Sequence, residues 1–357
     1  MVAMSSPRSW ESTQLLMGTT LLCTAVILWS QHRGGATAYS SQVLRQEPAV
    51  SQPPGAGSAA AAGANASAAG GPRKPQPVVM LMIGRTGSSL LTDVLNRHPK
   101  ILFVGEKFNH ENAWQLGKGV DYFFSRGGYK KVYEEWLGNQ PHKGKVPEKD
   151  YSALEWVGFK VNTHMAKFPP TFAANAHWKV LAALDPPPKL ICLHRRNDVK
   201  AVISEHRALA LAAKCKTFSH VPGYNCTIPT NWTMAVPAFR ASLKARLETT
   251  QGHLEICRYG AARYPTLFSA YEDVLERGVG QMADRVLEFV GVSAEARARL
   301  VRDFGSGEEE VSFEKTTPDD LHDSLENIEQ LVAAARQMYA DTAEDLFESE
   351  FKAVIAL

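Results

Sequence analysis

Three polar clusters, each closing an apolar run, hold the residues in this sequence that can do chemistry. The first is Gly84-Arg85-Thr86-Gly87-Ser88-Ser89, set between the apolar run 77–83 and a segment of helical period. The N–H groups of such a turn, the start of the next helix and two hydroxyls together make an anion cradle. An ordinary tight turn capped by Ser88 would use the same residues. A triphosphate-hydrolysing loop ends Gly-Lys-Ser/Thr. This one ends Gly-Ser-Ser without a lysine, which argues against ATP or GTP hydrolysis and against a nucleoside-phosphate kinase. The second cluster is Glu106 in FVGEKF. A carboxylate there serves as a general base if burial raises its pKa from ~4.3 toward neutrality; left in solvent it is only a strand-end charge. The third is Leu193-His194-Arg195-Arg196-Asn197, with Ser204 eight residues beyond Arg196. An arginine fork and a hydroxyl on the following helix can close on a phosphate monoester. Two anion sites in one crevice suit a ligand phosphorylated at two positions.

These clusters need elements to bring them together. PVVMLMI (77–83) is apolar throughout and bounded by Pro and Gly, as a strand buried on both faces would be. Leu90, Leu91, Val94 and Leu95 then recur at helical spacing until Pro99. Further strands are expected at 101–106, 158–162, 189–194 and 266–271. Helices are expected from Asp198 to about 213, near 281–290 and 294–302, from Pro318 to about 339, and near 343–355. Strands alternating with helices predict an α/β fold, a P-loop-like doubly wound parallel sheet flanked by helices. Ligands of such sheets lie outside the carboxyl ends of the strands, which would place all three clusters around one crevice.

The clusters, in this order, resemble those of sulfotransferases that use 3′-phosphoadenosine-5′-phosphosulfate (PAPS), most of all the membrane-anchored lumenal (Golgi-type) branch and its nodulation-type relatives. IGRTGSSLLTDVLNRHP is similar to that family's 5′-phosphosulfate loop, and ICLHRRNDVKAVISEHRAL to its 3′-phosphate motif. The resemblance implies that Arg85, Thr86, Gly87, Ser88 and Ser89 hold the 5′ end. It gives the 3′-phosphate to Arg196 with Ser204 rather than to Arg195, whose role stays open because Arg-Arg-Asn stands where Arg-Asp-Pro is common. Ala270-Tyr271-Glu272-Asp273 is similar to the family's Tyr-Glu-Asp element, and Glu314-Lys315-Thr316-Thr317 to its late lysine segment over the nucleotide. By the same resemblance Glu106 activates the acceptor, and the fold is sulfotransferase-like. The implied donor is PAPS, with no metal. The five cysteines, which contain no C-x-x-C pair, agree with that.

The acceptor is read from residues 107–149, where Phe108, Trp114, Tyr122, Phe123, Phe124, Tyr129, Tyr133 and Trp136 alternate with Arg126, Lys130, Lys131, Lys143 and Lys145. Aromatics among cations suit a sugar chain, and equally suit core helices with a solvated face. His164 either faces the acceptor or is structural. The expected activity is sulfonyl transfer to a hydroxyl on a glycan. Sulfation of protein tyrosine and a catalytically silent nucleotide-binding lumenal protein are the alternatives.

The remaining 1–77 read differently. Residues 13–30 contain an uncharged apolar run at the short end of a bilayer span, expected to be a retained signal-anchor, with a cleaved signal peptide as the rival. Residues 1–12 would be a cytoplasmic tail, 31–77 a flexible Ala/Gly/Ser/Pro stem, and 78–357 the catalytic domain. Sequons at Asn65, Asn225 and Asn231 suggest a glycoprotein. Cys215 and Cys226, close in sequence, are candidates for a disulfide, or for two free thiols. Together these predict a single-pass type II protein of the Golgi membrane with a lumenal domain. The formal net charge of +2 offers no field to recruit nucleic acid. The mixed composition, 45% hydrophobic and 21% charged, is that of a globular chain.

Overall fold

A strand covered by helices on both faces has no solvent side, so its residues need not alternate between apolar and polar. The strands of this chain have that character. A computed structural model describes residues 74–106, 113–125, 128–138, 148–166, 176–215, 232–305 and 325–342. Strands β1 (Gln76–Met82), β2 (Ile101–Val104), β3 (Trp156–Asn162), β4 (Lys189–His194) and β5 (Thr266–Ala270) form one parallel sheet in the order β2-β3-β1-β4-β5. The chain moves outward from β1 to β2 in one direction and from β4 to β5 in the other. The carboxyl ends of β1 and β4 therefore flank the point where the winding reverses, the position at which such sheets bind ligands.

The helices are α1 (Ser88–Arg97), α2 (Ala113–Ser125), α3 (Tyr129–Gly138), α4 (Ala176–Ala182), α5 (Asp198–Cys215), α6 (Val236–Ala261), α7 (Tyr271–Val290), α8 (Ala294–Gly305) and α9 (Ile328–Thr342). Successive strand residues point to opposite faces, and the two cores follow from that rule. Val78, Met80 and Met82 pack against Leu91 and Leu95 of α1 and against Met282, Val286 and Leu287 of α7. Val79 and Leu81 face the other way, toward Val120 and Phe123 of α2, Tyr133 of α3, Trp178 of α4 and Ile256 of α6. A third cluster joins Val199, Val202 and Ile203 of α5 to Phe239 and Leu243 of α6 and to Leu331 and Ala335 of α9.

Helix α6 is absent from the sequence reading, and its pattern explains why. Phe239, Leu243, Arg246, Thr250, His253, Cys257 and Gly260 succeed each other at spacings of three and four, so they lie along one stripe. The stripe is apolar at both ends and polar in the middle, where it passes the carboxyl edge of the sheet. Hydrophobic periodicity alone therefore reads it as broken. Near its C-terminus Gly260 lets the helix approach Leu190 and Trp178, where a Cβ would sit 2.7 Å from the Leu190 side chain.

Other boundaries also shift. Residues 325–327 make a bridge from Leu325 to Trp232 and a turn, so the helix expected from Pro318 begins at Ile328. Asn327 holds that junction through its side chain, accepting from Met234 N and donating to Met234 O. A disulfide joins Cys192 of β4 to Cys257 of α6. It closes a span of 65 residues, worth about 4 kcal/mol on the chain-entropy account. The Cys215 to Cys226 pairing lies outside the described residues, as do segment 13–30, the stem and the sequons. Among the described residues no helix is long and apolar enough to cross a membrane.

Candidate functional site

The turn after β1 is built from backbone conformations that only a few residues tolerate. Arg85 has φ of 65° and Gly87 φ of 76°. A non-glycine in the left-handed region is uncommon and, when it persists, tends to mark a site whose surroundings hold it there. Gly87 is required twice over, since a Cβ would lie 2.4 Å from the Tyr271 ring. Gly87 is the N-cap of α1 and supplies no side-chain cap, and the helical ladder begins at Leu91 N, which donates to Gly87 O. The N–H groups of the first turn are thus turned toward the crevice without an intrahelical acceptor. Thr86 instead donates its hydroxyl to Ile83 O at 2.8 Å, bracing the turn from inside.

Arg85 crosses to the other cluster. Its Nε donates to Ser204 Oγ at 2.9 Å, a contact 119 residues apart in sequence. Arg195 lies beneath, buried, with Nη1 donating to Arg85 O at 3.3 Å and its guanidinium 4.9 Å from the centre of the Tyr271 ring. Its Nε is 3.8 Å from Glu272 Oε1 and makes no hydrogen bond. Glu272 otherwise clamps the loop after β4, its two oxygens accepting from Arg196 N and Asn197 N at 2.9 and 3.0 Å. Arg196 is the outer of the two arginines, 36% exposed, with Nη2 3.4 Å from Asp273 Oδ1. Asn197 caps α5, its Oδ1 accepting from Lys200 N. The turn, Arg195, Arg196, Ser204 and Tyr271 therefore share one neighbourhood. Lys315 lies outside the described residues.

Glu106 enters the same neighbourhood through a residue the sequence reading did not single out. Lys160 stands in the middle of β3, buried, with Nζ 3.3 Å from Ser88 Oγ, 3.2 Å from Ser89 Oγ and 3.5 Å from Glu106 Oε1. Burial lowers the pKa of Lys160, while Glu106 pulls it back up. Glu106 itself is 38% exposed, not enclosed. A charged partner is present instead. A lysine flanked by Phe159 and Val161 in a buried strand, GFKVN, was the available signal. The indole of Trp136 packs against Gly105 beside Glu106, where a Cβ would meet its Nε1 at 2.6 Å.

Arg246 supports the site from α6. It donates through Nη1 to Gly84 O at 2.7 Å and through Nε to Asp198 Oδ1 at 3.1 Å. Thr250 donates to the same carboxylate oxygen at 2.8 Å. Asp198 is buried and its pKa is raised by that burial, against the opposing pull of Arg246. Most aromatics of 107–149 serve the core. Phe123 and Tyr133 are fully buried, with Phe124, Tyr129 and Trp136 packed on them. His164 and Met165 are exposed just beyond β3. Phe108, Arg126, Lys143, Lys145 and the side chain of Trp114 lie outside the described residues.

No family model matches this chain, and no curated protein matches it. Solved structures do. A sulfotransferase domain from the curacin biosynthetic pathway matches at 12% identity and a TM-score of 0.34, over 63% of this chain and 77% of its own. A sulfotransferase of Mycobacterium avium matches at 14% and 0.36, over 77% of this chain and 79% of its own. A mouse sulfotransferase complexed with PAP matches at 10% and 0.37, over 79% of this chain and 89% of its own.

Proposed function

We propose that the chain is a sulfotransferase that moves the sulfonyl group of PAPS to a hydroxyl of a glycan. The observation that carries the reading is the Arg85 to Ser204 hydrogen bond, 2.9 Å long, which joins two anion-binding motifs from distant parts of the sequence. Two phosphate-type sites that meet at one crevice suit a ligand charged at both ends. The residues present fit such a ligand, because a buried guanidinium nitrogen of Arg195 and one of Arg246 are without hydrogen-bond partners. Buried polar groups of that kind are costly unless something completes them.

Arg85, Thr86, Gly87, Ser88 and Ser89 would hold the 5′ end of the donor, Arg196 and Ser204 its 3′-phosphate, with Tyr271 as a further contact and the segment of Lys315 over the nucleotide. PAPS supplies the activated sulfonyl group. Arg85, Lys160 and the N–H groups at the start of α1 supply positive charge where the leaving phosphate gathers negative charge, and fixed donors of this type need no reorganisation. Glu106 takes the proton of the acceptor hydroxyl, with Lys160 holding the carboxylate toward the cradle. Positioning the acceptor against the donor supplies the remainder. Trp136, packed against Gly105 beside Glu106, and the exposed His164 would be the contacts to the acceptor. The protein setting is a type II anchor at 13–30 and a stem at 31–77, with the catalytic domain in the Golgi lumen.

The test is incubation of the full-length protein with sulfur-labelled PAPS and a panel of glycan and tyrosine-peptide acceptors. Label on a glycan hydroxyl is expected. Label on tyrosine would shift the acceptor class. Bound nucleotide with no transfer to any acceptor would replace the enzyme reading with that of a silent binding protein.

A further inference from the structure

Two arginines follow β4 in the sequence, and the fold sends them to different sides of the loop. Arg196 stands outside, with Nη2 3.4 Å from Asp273 Oδ1 and Nε 3.9 Å from Glu272 Oε2. Arg195 goes inside, where only 6% of it is exposed. Burial lowers its pKa, Glu272 and Tyr271 pull it back up, and Arg246 and Arg85 add to the lowering. A charge kept inside beside two like charges is costly and calls for a role. An ion pair with Glu272 does not supply one, because Nε stops 3.8 Å from Oε1 and makes no hydrogen bond.

The hydrogen bond that Arg195 does make goes to the turn after β1, where Nη1 donates to Arg85 O at 3.3 Å. Among the described residues the one cis peptide is Asp185–Pro186, so the bond from Arg85 to Thr86 is trans. In a trans peptide the carbonyl and the next N–H point in opposite directions. Holding Arg85 O therefore aims Thr86 N–H away from the buried guanidinium. Arg246 treats the preceding peptide alike, donating through Nη1 to Gly84 O at 2.7 Å, which aims Arg85 N–H away from it. Arg85 has φ of 65°, and successive N–H groups at such a left-handed turn form a hollow for anions. Arg195 reaches the turn at a second point. Its guanidinium lies 4.9 Å from the centre of the Tyr271 ring, and that ring packs against Gly87.

We propose that Arg195 is a positioning residue for the 5′ end of the nucleotide, fixing the peptide after Arg85 and so aiming Thr86 N–H at the phosphosulfate, while its neighbour Arg196 serves the 3′-phosphate. The proposal rests on the function proposed above and deepens it by dividing the two arginines between the two ends of the donor. Arg195 acts through the turn, and its effect is confined to the end that the turn holds.

The test uses Arg195→Met, Arg195→Lys and Arg196→Met in the full-length protein. Affinities for adenosine 5′-phosphate, adenosine 3′-phosphate and adenosine 3′,5′-bisphosphate are measured by calorimetry. Amide hydrogen exchange is followed at 84–89 in the absence of nucleotide. Losing one aimed donor in Arg195→Met should weaken the 5′-phosphate and the bisphosphate about tenfold and leave the 3′-phosphate unchanged. Arg196→Met should weaken the 3′-phosphate and the bisphosphate and spare the 5′-phosphate. Exchange at 84–89 should quicken in Arg195→Met and keep the wild-type rate in Arg196→Met. Lysine keeps a donor but not the flat face on Tyr271. Arg195→Lys should therefore fall between wild type and Arg195→Met, again at the 5′ end alone, and it carries the test if Arg195→Met fails to fold. Equal losses at both ends overturn the proposal, and so does no loss. Loss at the 5′ end with unchanged exchange overturns it too, since Arg195 would then touch the nucleotide itself. A wild-type protein that binds none of the three nucleotides would remove the proposed function, while exchange at 84–89 still decides whether Arg195 holds the turn.

Discussion

Glu106 and Lys160 are 3.5 Å apart, and the proposed chemistry is divided between them. Replacing Glu106 by Gln keeps the size of the side chain and removes its basicity. Binding of adenosine 3′,5′-bisphosphate should then persist while turnover falls about 10²- to 10⁴-fold, the usual range for a general base; initial rates with labelled donor check this. Lys160→Met removes the cation that reaches both Ser88 and Ser89. Charge-assisted contacts of this kind are worth about 1.5–3 kcal/mol, so transfer should fall about 10- to 100-fold. Gly87→Ala strains a φ of 76° and drives a methyl into the Tyr271 ring. A left-handed alanine alone costs about 1–2 kcal/mol, and the lowered melting temperature should exceed what that cost gives.

At the scale of elements, the site depends on helix α6 as much as on the strands that end in it. Arg246 and Asp198 form a buried ion pair, 3.1 Å apart, that ties α6 to the start of α5. Removing one partner of such a pair leaves an uncompensated charge and costs about 3–5 kcal/mol. Arg246→Leu should lower the unfolding free energy obtained from urea titration by that amount and also loosen the Gly84 turn, which would be seen as faster amide exchange at 84–89. The tight turn, the strand before it and the helix after it were legible because their signals are local: an unbroken apolar run, glycines and a stop at Pro99. Helix α6 was not, because three of its inward residues are Arg246, Thr250 and His253. They turn inward to serve the site, and an apolar count passes them over.

For the molecule as a whole, two buried imidazoles link folding to pH. Burial, with the neighbouring Lys149 charge adding to it, lowers His98 to about 4, and burial lowers His253 to about 3. Both stay neutral in the folded protein at pH values where the unfolded chain, near 6.5, takes up protons. The folded state therefore keeps its full stability above about 6.5 and loses it as the pH falls toward 4 and then 3. Urea midpoints measured from pH 7.5 to 4 should decline, and the decline should be shallower in His98→Phe.

Sequence alone determined the parallel α/β sheet, since runs apolar on both faces must be covered on both sides. It also supplied the residue types of the two proposed anion sites and an acid expected beside them. Which of those residues meet was decided by tertiary structure. The bond from Arg85 to Ser204, the burial of Arg195 with Arg196 left outside against Asp273, and the arrival of Lys160 between Glu106 and the serines all follow from the strand order β2-β3-β1-β4-β5. Strand order is set by how helices cover the sheet, and no local stretch of sequence contains that information. The pairing of Cys192 with Cys257 has the same origin, because it needs α6 to cross back over β4.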